Sequence, residues 1–369
     1  MSMEYKIANA RIVARDRVFP GAVTVADGRI VRVEEGEAAP ADAIDFEGDF
    51  LAPGLVELHT DNVEKHMVPR PGVIWPSPLA AILGHDAQMA AAGVTTVYDA
   101  ISVGEYMDRS YRRALLSTVL DSIRDAKAAG LFRADHRVHL RCEIADDAVM
   151  DLFAPHADDP NVGMISVMDH TPGQRQWRDL KSFKTFKSAA MSDEDFEAYV
   201  AQRIADSSKQ SELNRRRVLD LWAHRGPVAS HDDTTPDHVA EAVADGIKIS
   251  EFPTTMEAAE AARAAGMKTV MGAPNVVRGG SHSGNVSALD LAEAGLLDAL
   301  SSDYAPISLI QAAFALEDRV GMPLHDAMAT VSANPAEMLG LDDRGEIAVG
   351  KRADLIRVRR VGDTVLTRG

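Results

Sequence analysis

The chain carries a single cysteine, Cys142, among its 369 residues. That excludes an internal disulfide framework and fits a reducing compartment. No run of about 18 apolar residues occurs, so no transmembrane helix is expected. The opening MSMEYKIANARIV lacks the apolar core of a secretory signal. Positive charge is also scarce: 39 Lys and Arg against 56 Asp and Glu leave a net charge of −17. A surface of that sign repels nucleic acid and anionic membranes at long range, so neither is expected as a partner. A small anionic substrate stays open, because screening beyond about 8 Å lets local basic residues govern a pocket. A soluble, cytoplasmic protein is expected.

What is present is material for a large core, with 46% hydrophobic residues. The first fifty residues alternate apolar and polar positions (IANARIVA, AVTVADGRIVRV), and Asp27-Gly28 between two such runs signals a hairpin. The final GEIAVGKRADLIRVRRVGDTVLTRG reads the same way. Two short β-rich ends cannot each bury a core, so they are expected to meet in one lobe. Between them, eight apolar runs alternate with Ala-rich helical stretches: LAPGLVELHTD, VTTVYDA, RVHLRCEI, VGMISVMDH, PVASHDD, IKISEF, KTVMGAP and ALSSDYA. This order predicts an α/β fold: a (β/α)8 TIM-like barrel over residues 53–344, with a small β-sandwich-like lobe from residues 1–52 and 345–369. A doubly wound open sheet would usually offer a Gly-rich phosphate loop after its first strand, and HTDNVEKH is not one.

The polar residues at the strand ends carry the chemistry. The first run ends in LHTD, setting His59 and Asp61 two apart, on one face of a strand and able to share a cation. Glu143, His170, His231 and Asp303 end four further runs. In a barrel enzyme these ends form the active face. Six ionisable groups converging there need a partner to offset desolvation, and a divalent cation is the simplest. Nitrogen with carboxylate oxygen suits zinc first, then manganese or iron. Alternatives stand beside each ligand. Glu143 could pair with Arg141 or His139, His170 could contact substrate, Asp232 could act in place of His231, and Asp303 could cap a helix. His85 lies in a helical stretch and reads as a surface or packing residue, and Cys142 as packing.

Several loops supply cations and donors for an anion: Lys65 and Arg70 after the first run, Arg175 after His170, and Arg278 in NVVRGGSHSGN. That loop adds His282, Ser283 and Asn285, with glycines that let backbone N–H groups approach an anion. Arg178, Lys181, Lys184 and Lys187 drift around a helix and read as a solvated face.

The strings LAPGLVELHTD and ANPAEMLGL…GEIAVGKRADLI resemble the amidohydrolase superfamily. Within it, HTDNVEKH, PRPGVIWP, HLRCEI, MDHTPGQRQ, ASHDDTT, EFPTT, MGAPNVVRGGSHSGN and SSDYAP are similar to the PhnM branch of the carbon–phosphorus lyase pathway. The resemblance implies a metal-dependent diphosphatase that takes a ribosyl triphosphate, α-D-ribose 1-methylphosphonate 5-triphosphate, to the 5-phosphate and pyrophosphate. It implies His59, Asp61, Glu143, His170 and His231 as the set for one or two metal ions, with Asp303 handling the proton. Two positions depart from the wider superfamily: Asp61 replaces the second histidine of His-x-His, and Glu143 stands where a carboxylated lysine is common. A cyclic-amide hydrolase is the competing expectation on the same scaffold, and a metal-free assembly scaffold a more distant one. A homo-oligomer is expected by analogy alone.

Overall fold

The computed structural model describes residues 4–36, 40–105, 110–187, 191–281 and 284–368. The N-terminal alternation becomes β1 (Glu4–Val13), β2 (Val18–Ala26) and β3 (Arg29–Glu35), an antiparallel meander. Asp27 and Gly28 join β2 to β3 at φ 49 and 74, the left-handed backbone that a two-residue hairpin turn demands. The short β4 (Ile44–Asp45) and β5 (Phe50–Pro53) lie parallel to β1.

Gly54 then takes the chain from one sheet to another. A side chain there would run into Thr95, so the crossing needs a residue without Cβ. Eight strands follow: β6 (Leu55–Thr60), β7 (Val94–Val103), β8 (Asp135–Glu143), β9 (Val162–Met168), β10 (Val228–His231), β11 (Ile249–Glu251), β12 (Lys268–Gly272) and β13 (Ala299–Ser301). Each pairs in parallel with the next, and each falls on one of the eight apolar runs. The chain ends with β14 (Leu355–Val361) and β15 (Thr364–Arg368), which return to the first sheet beside β5. The two termini thus share a single mixed sheet in the order β15-β14-β5-β1-β2-β3, with β4 against β1.

The barrel closes where β6 meets β13. Thr60 bridges Asp303 in parallel. The Asp303 N–H donates to the His59 carbonyl (3.2 Å), and the Asp61 N–H donates to the Asp303 carbonyl (3.1 Å). Beneath this seam the Glu57 carboxyl accepts the N–H groups of His59 and Ser302, each at 2.7 Å. Burial raises its pKa to about 8, so it carries a proton at neutral pH.

Alternation along β8 sorts its side chains. Val138, Leu140 and Cys142 pack outward with Leu116, Phe153 and Trp222 of the surrounding helices, while His139 and Arg141 turn inward. Helix starts carry the expected caps: Ser77 before Pro78–Ala91, Ser192 before Asp193–Trp222, Thr235 before Pro236–Ala244 and Thr255 before Met256–Ala264 all accept from a backbone N–H. No helix among the described residues is long and apolar enough to cross a membrane.

Candidate metal centre

At the C-terminal ends of the barrel strands, His59, Asp61, His170, His231, Asp232 and Asp303 line one cavity of about 390 Å³. A larger cavity, about 1080 Å³, opens at the opposite ends of β10, β11 and β12 beside Val228, Ile249 and Lys268. No cation-competent histidine–carboxylate group among the described residues borders it, so size alone does not locate the chemistry.

Three histidines are held from behind by carboxylates. Glu143 accepts the His170 Nδ1–H at 2.6 Å and the His170 N–H at 3.1 Å. Glu251 stands between two rings, 3.1 Å from His59 Nδ1 and 3.3 Å from His231 Nδ1. The Glu143 contact sets the His170 ring with Nε2 toward the cavity, and His59, His231 and Glu251 themselves form a group that could hold a metal ion. His170 Nε2 and His231 Nε2 lie 3.7 and 3.5 Å from Asp232 Oδ2. Phe252 sets its edge against both His59 and His231, with centroids 5.1 and 5.2 Å away.

Those spacings bear on what the group can hold. Bonds of 2.0–2.2 Å at angles between octahedral and tetrahedral separate two donors by about 2.9–3.5 Å. Of the distances to Asp232, 3.5 Å sits at the upper edge of that window and 3.7 Å just outside it, both beyond a good hydrogen bond. Asp61 Oδ1 is buried without a partner. A cation satisfies both observations, and the donor set of imidazole and carboxylate fits one.

Burial raises Asp303 to about 7, reinforced by Asp61 and opposed by Arg141 and Lys65. Burial likewise raises Asp232 to about 7. Burial drives His59 and His231 well below the usual imidazole range, favouring unprotonated rings able to donate to a cation. Asp232, Phe252 and Asp303 all adopt positive φ, at 56, 55 and 52. Each non-glycine residue held so costs about 1–3 kcal/mol, and each follows directly, or two residues on, from a barrel strand.

Of the cations expected from the sequence, Arg278 lines the cavity, exposed at its mouth, and Asn285 joins it. Lys65 donates to the Tyr304 carbonyl at 2.6 Å at the rim. Arg70 is exposed and outside the lining. Arg175 is turned away: its guanidinium binds Asp233 (2.9 Å), the His231 carbonyl (3.1 Å) and Glu241 (3.3 Å). It therefore braces the His231–Asp233 turn. His282 and Ser283 lie outside the described residues.

A second histidine–carboxylate group sits behind the barrel wall, under the helix Pro78–Ala91. Asp99 accepts from His85 Nε2 at 2.6 Å and from His136 Nδ1 at 2.7 Å. His136 Nε2 reaches Asp86 at 3.3 Å, and Asp86 also takes Arg133. Asn62 donates to His85 Nδ1 (3.0 Å) and to Gln88 (2.9 Å).

The residues 220–363 match the Amidohydrolase family. The chain is 43% identical over 359 residues to the alpha-D-ribose 1-methylphosphonate 5-triphosphate diphosphatase of Escherichia coli K12, covering 96% of this chain and 95% of that protein. The chain belongs to that diphosphatase's family. Among solved structures, N-acetylglucosamine-6-phosphate deacetylase from Pasteurella multocida aligns with a TM-score of 0.63 at 13% identity, over 99% of this chain and 98% of the other. Dihydropyrimidinase from Brevibacillus agri NCHU1002 aligns at 0.61 and 14% identity, over 96% and 86%. These two share the fold. The structure brings to the site three residues that sequence spacing did not place there: Glu57, Glu251 and Arg141. Glu251 ends IKISE, so the rule that found Glu143 at a strand end also points to it; Glu57 lies two residues before His59, the spacing that singled out Asp61.

Proposed function

We propose that the protein hydrolyses α-D-ribose 1-methylphosphonate 5-triphosphate to the 5-phosphate and pyrophosphate in the cytoplasm. The observation that carries this reading is one cavity in which a cation-fitting histidine–carboxylate group meets arginines. Full-length similarity to a diphosphatase supports it. His59, Asp61, His170 and His231 would hold the metal, zinc first and manganese or iron next, as one or two ions. Asp232 and Asp303 border the same space, and Glu143 and Glu251 orient the rings. The metal supplies Lewis acidity and lowers the pKa of a water toward about 7.

The chain's own residues do the rest. Asp303, poised near neutrality, takes the water's proton. The water oxygen bonds to the ribose-linked phosphorus while the bond to the bridging oxygen breaks, and its electron pair leaves with pyrophosphate. Arg278, with Asn285 beside it, receives the outer phosphates at the mouth, and Lys65 adds charge at the rim. His282 and Ser283 complete that loop in this proposal, and Arg70 serves the approach. Arg175 acts at one remove by fixing the His231 turn. A homo-oligomer is part of the same reading.

The test is release of pyrophosphate from the ribosyl triphosphate by metal-loaded protein, run beside dihydroorotate and hydantoin. Turnover of a cyclic amide with none of the triphosphate would sink the proposal.

A further inference from the structure

Arg141 is the buried cation of the cavity, and among the described residues it makes no ion pair. It projects from β8 between His139 and Glu143 and lines the cavity with the candidate ligands. It is 9% exposed, and its Nε is buried with no hydrogen-bond partner. Among the described residues no carboxylate makes an ion pair with it, although Asp61, Asp232 and Asp303 line the same space. Other buried guanidiniums in this protein are engaged: Arg175 with Asp233, Arg215 with Asp245, Arg344 with Asp135. Asp232 and Asp303 feel its charge but neither forms an ion pair with it, and a desolvated guanidinium with no hydrogen-bonded anion is costly, so its place in the cavity implies an anion that arrives from outside. Arg278 and Lys65 are exposed near the mouth, whereas Arg141 lies within the site.

We propose that Arg141 binds the phosphoryl group under attack, its planar fork gripping the non-bridging oxygens as charge builds on them. This rests on the diphosphatase reading above and assigns the residue that reads the reacting phosphate, as opposed to the distal ones. A planar fork matches two phosphoryl oxygens at once; an ammonium does not. Contact at the reacting centre belongs to the transition state and acts on kcat, whereas contact with distal phosphates acts mainly on KM.

The test compares Arg141→Ala, Arg141→Lys and Arg278→Ala in steady-state kinetics on the ribosyl triphosphate, with metal content measured on each. Arg141→Ala is expected to lower kcat by about 10²–10³ with metal content unchanged. Arg141→Lys is expected to recover no more than about tenfold of that, and free guanidinium ion to restore part of the kcat of Arg141→Ala. Arg278→Ala is expected to raise KM and leave kcat within about twofold. Wild-type kcat in Arg141→Lys overturns the proposal. So does loss of metal in proportion to activity in Arg141→Ala, which would make Arg141 a counter-charge for the ligands. If Arg141→Ala does not fold, Arg141→Lys decides alone. Titration with orthovanadate, which mimics the phosphoryl group under attack, decides the point without turnover: binding to Arg141→Lys weaker by about tenfold is expected, and equal binding overturns it. A wild type that binds orthovanadate through Arg141 yet cleaves no triphosphate would overturn the diphosphatase reading, and with it the reacting phosphate, and leave Arg141 as an anion ligand alone.

Discussion

Two histidine–carboxylate groups stand on opposite sides of the same barrel wall, and they differ in spacing more than in composition. Behind the wall, Asp99 lies 2.6 and 2.7 Å from two imidazoles. These are good hydrogen bonds, too short for two donors sharing a cation. Every imidazole nitrogen and carboxylate oxygen of that group has a partner, from Asn62 through His85, Asp99 and His136 to Asp86 and Arg133. Inside the barrel mouth the separations to Asp232 are 3.5 and 3.7 Å, and Asp61 keeps an unpartnered oxygen. A group that satisfies itself builds structure; a group that does not has room for an ion. Residue type alone cannot separate the two.

Function should respond to one group and stability to the other. The largest effect is expected from Asp303→Asn, which removes the proposed proton acceptor and should lower kcat by about 10³ with metal content intact. Full turnover would remove Asp303 as the proton acceptor. Next, chelation should lower the melting temperature of the wild type, since an ion at a thousand times its Kd adds about 4 kcal/mol to the folded state. His231→Ala should melt at the same temperature with or without chelator. An undiminished chelator shift in that variant would place the ion elsewhere, the Asp99 group included.

Asp99→Ala should cost about 3–5 kcal/mol in denaturant unfolding, because it strands a buried imidazolium. The protein that remains folded should keep its wild-type kcat; a matching loss of kcat would blur the distinction between the groups. The smallest effect is pH dependence. Burial opposes the charged form of His136, but Asp99 and Asp86 outweigh it and raise the pKa from 6.5 to about 9. Its contribution is therefore fully present below about pH 6.5 and is lost as pH rises through 9. Asp86 is lowered from 3.8 to about 2 against the effect of its burial, by hydrogen bonds from His136, Ala134 and Arg133, so its contribution fades only as pH falls toward 2. His136→Gln should flatten the alkaline limb of the melting profile relative to wild type, and an identical limb would remove His136 from the account.

The barrel was legible in the sequence because strand periodicity and helix caps are local. All eight apolar runs became barrel strands, and Asp27-Gly28 became the hairpin turn. Strand-end position also brought His59, Asp61, His170, His231 and Asp303 to one cavity. What sequence spacing could not supply was direction around a turn. Arg175 follows His170 closely enough to serve the cavity, yet its positive φ (47) and the pull of Asp233 aim it outward. Glu143 shares the inward face of β8 but spends its oxygens on His170. Arg141, two residues earlier and one of the alternative partners for Glu143, makes no ion pair among the described residues. His85, read as surface or packing, is fully buried because Asp99 and Asn62 accept and donate at its two nitrogens.

The seam at Asp303 has a consequence for how the protein comes into being on the ribosome. Its backbone joins residues that emerge far apart in synthesis, with Thr60 made early and Asp303 late. Until the last barrel strand has been translated, the first strand has an open edge and the site lacks its proposed proton acceptor. Closing so distant a contact is slow relative to local helix formation. Any chain stalled or cut before Asp303 therefore lacks both the closing strand and the chemistry, and activity reports on completion of the barrel.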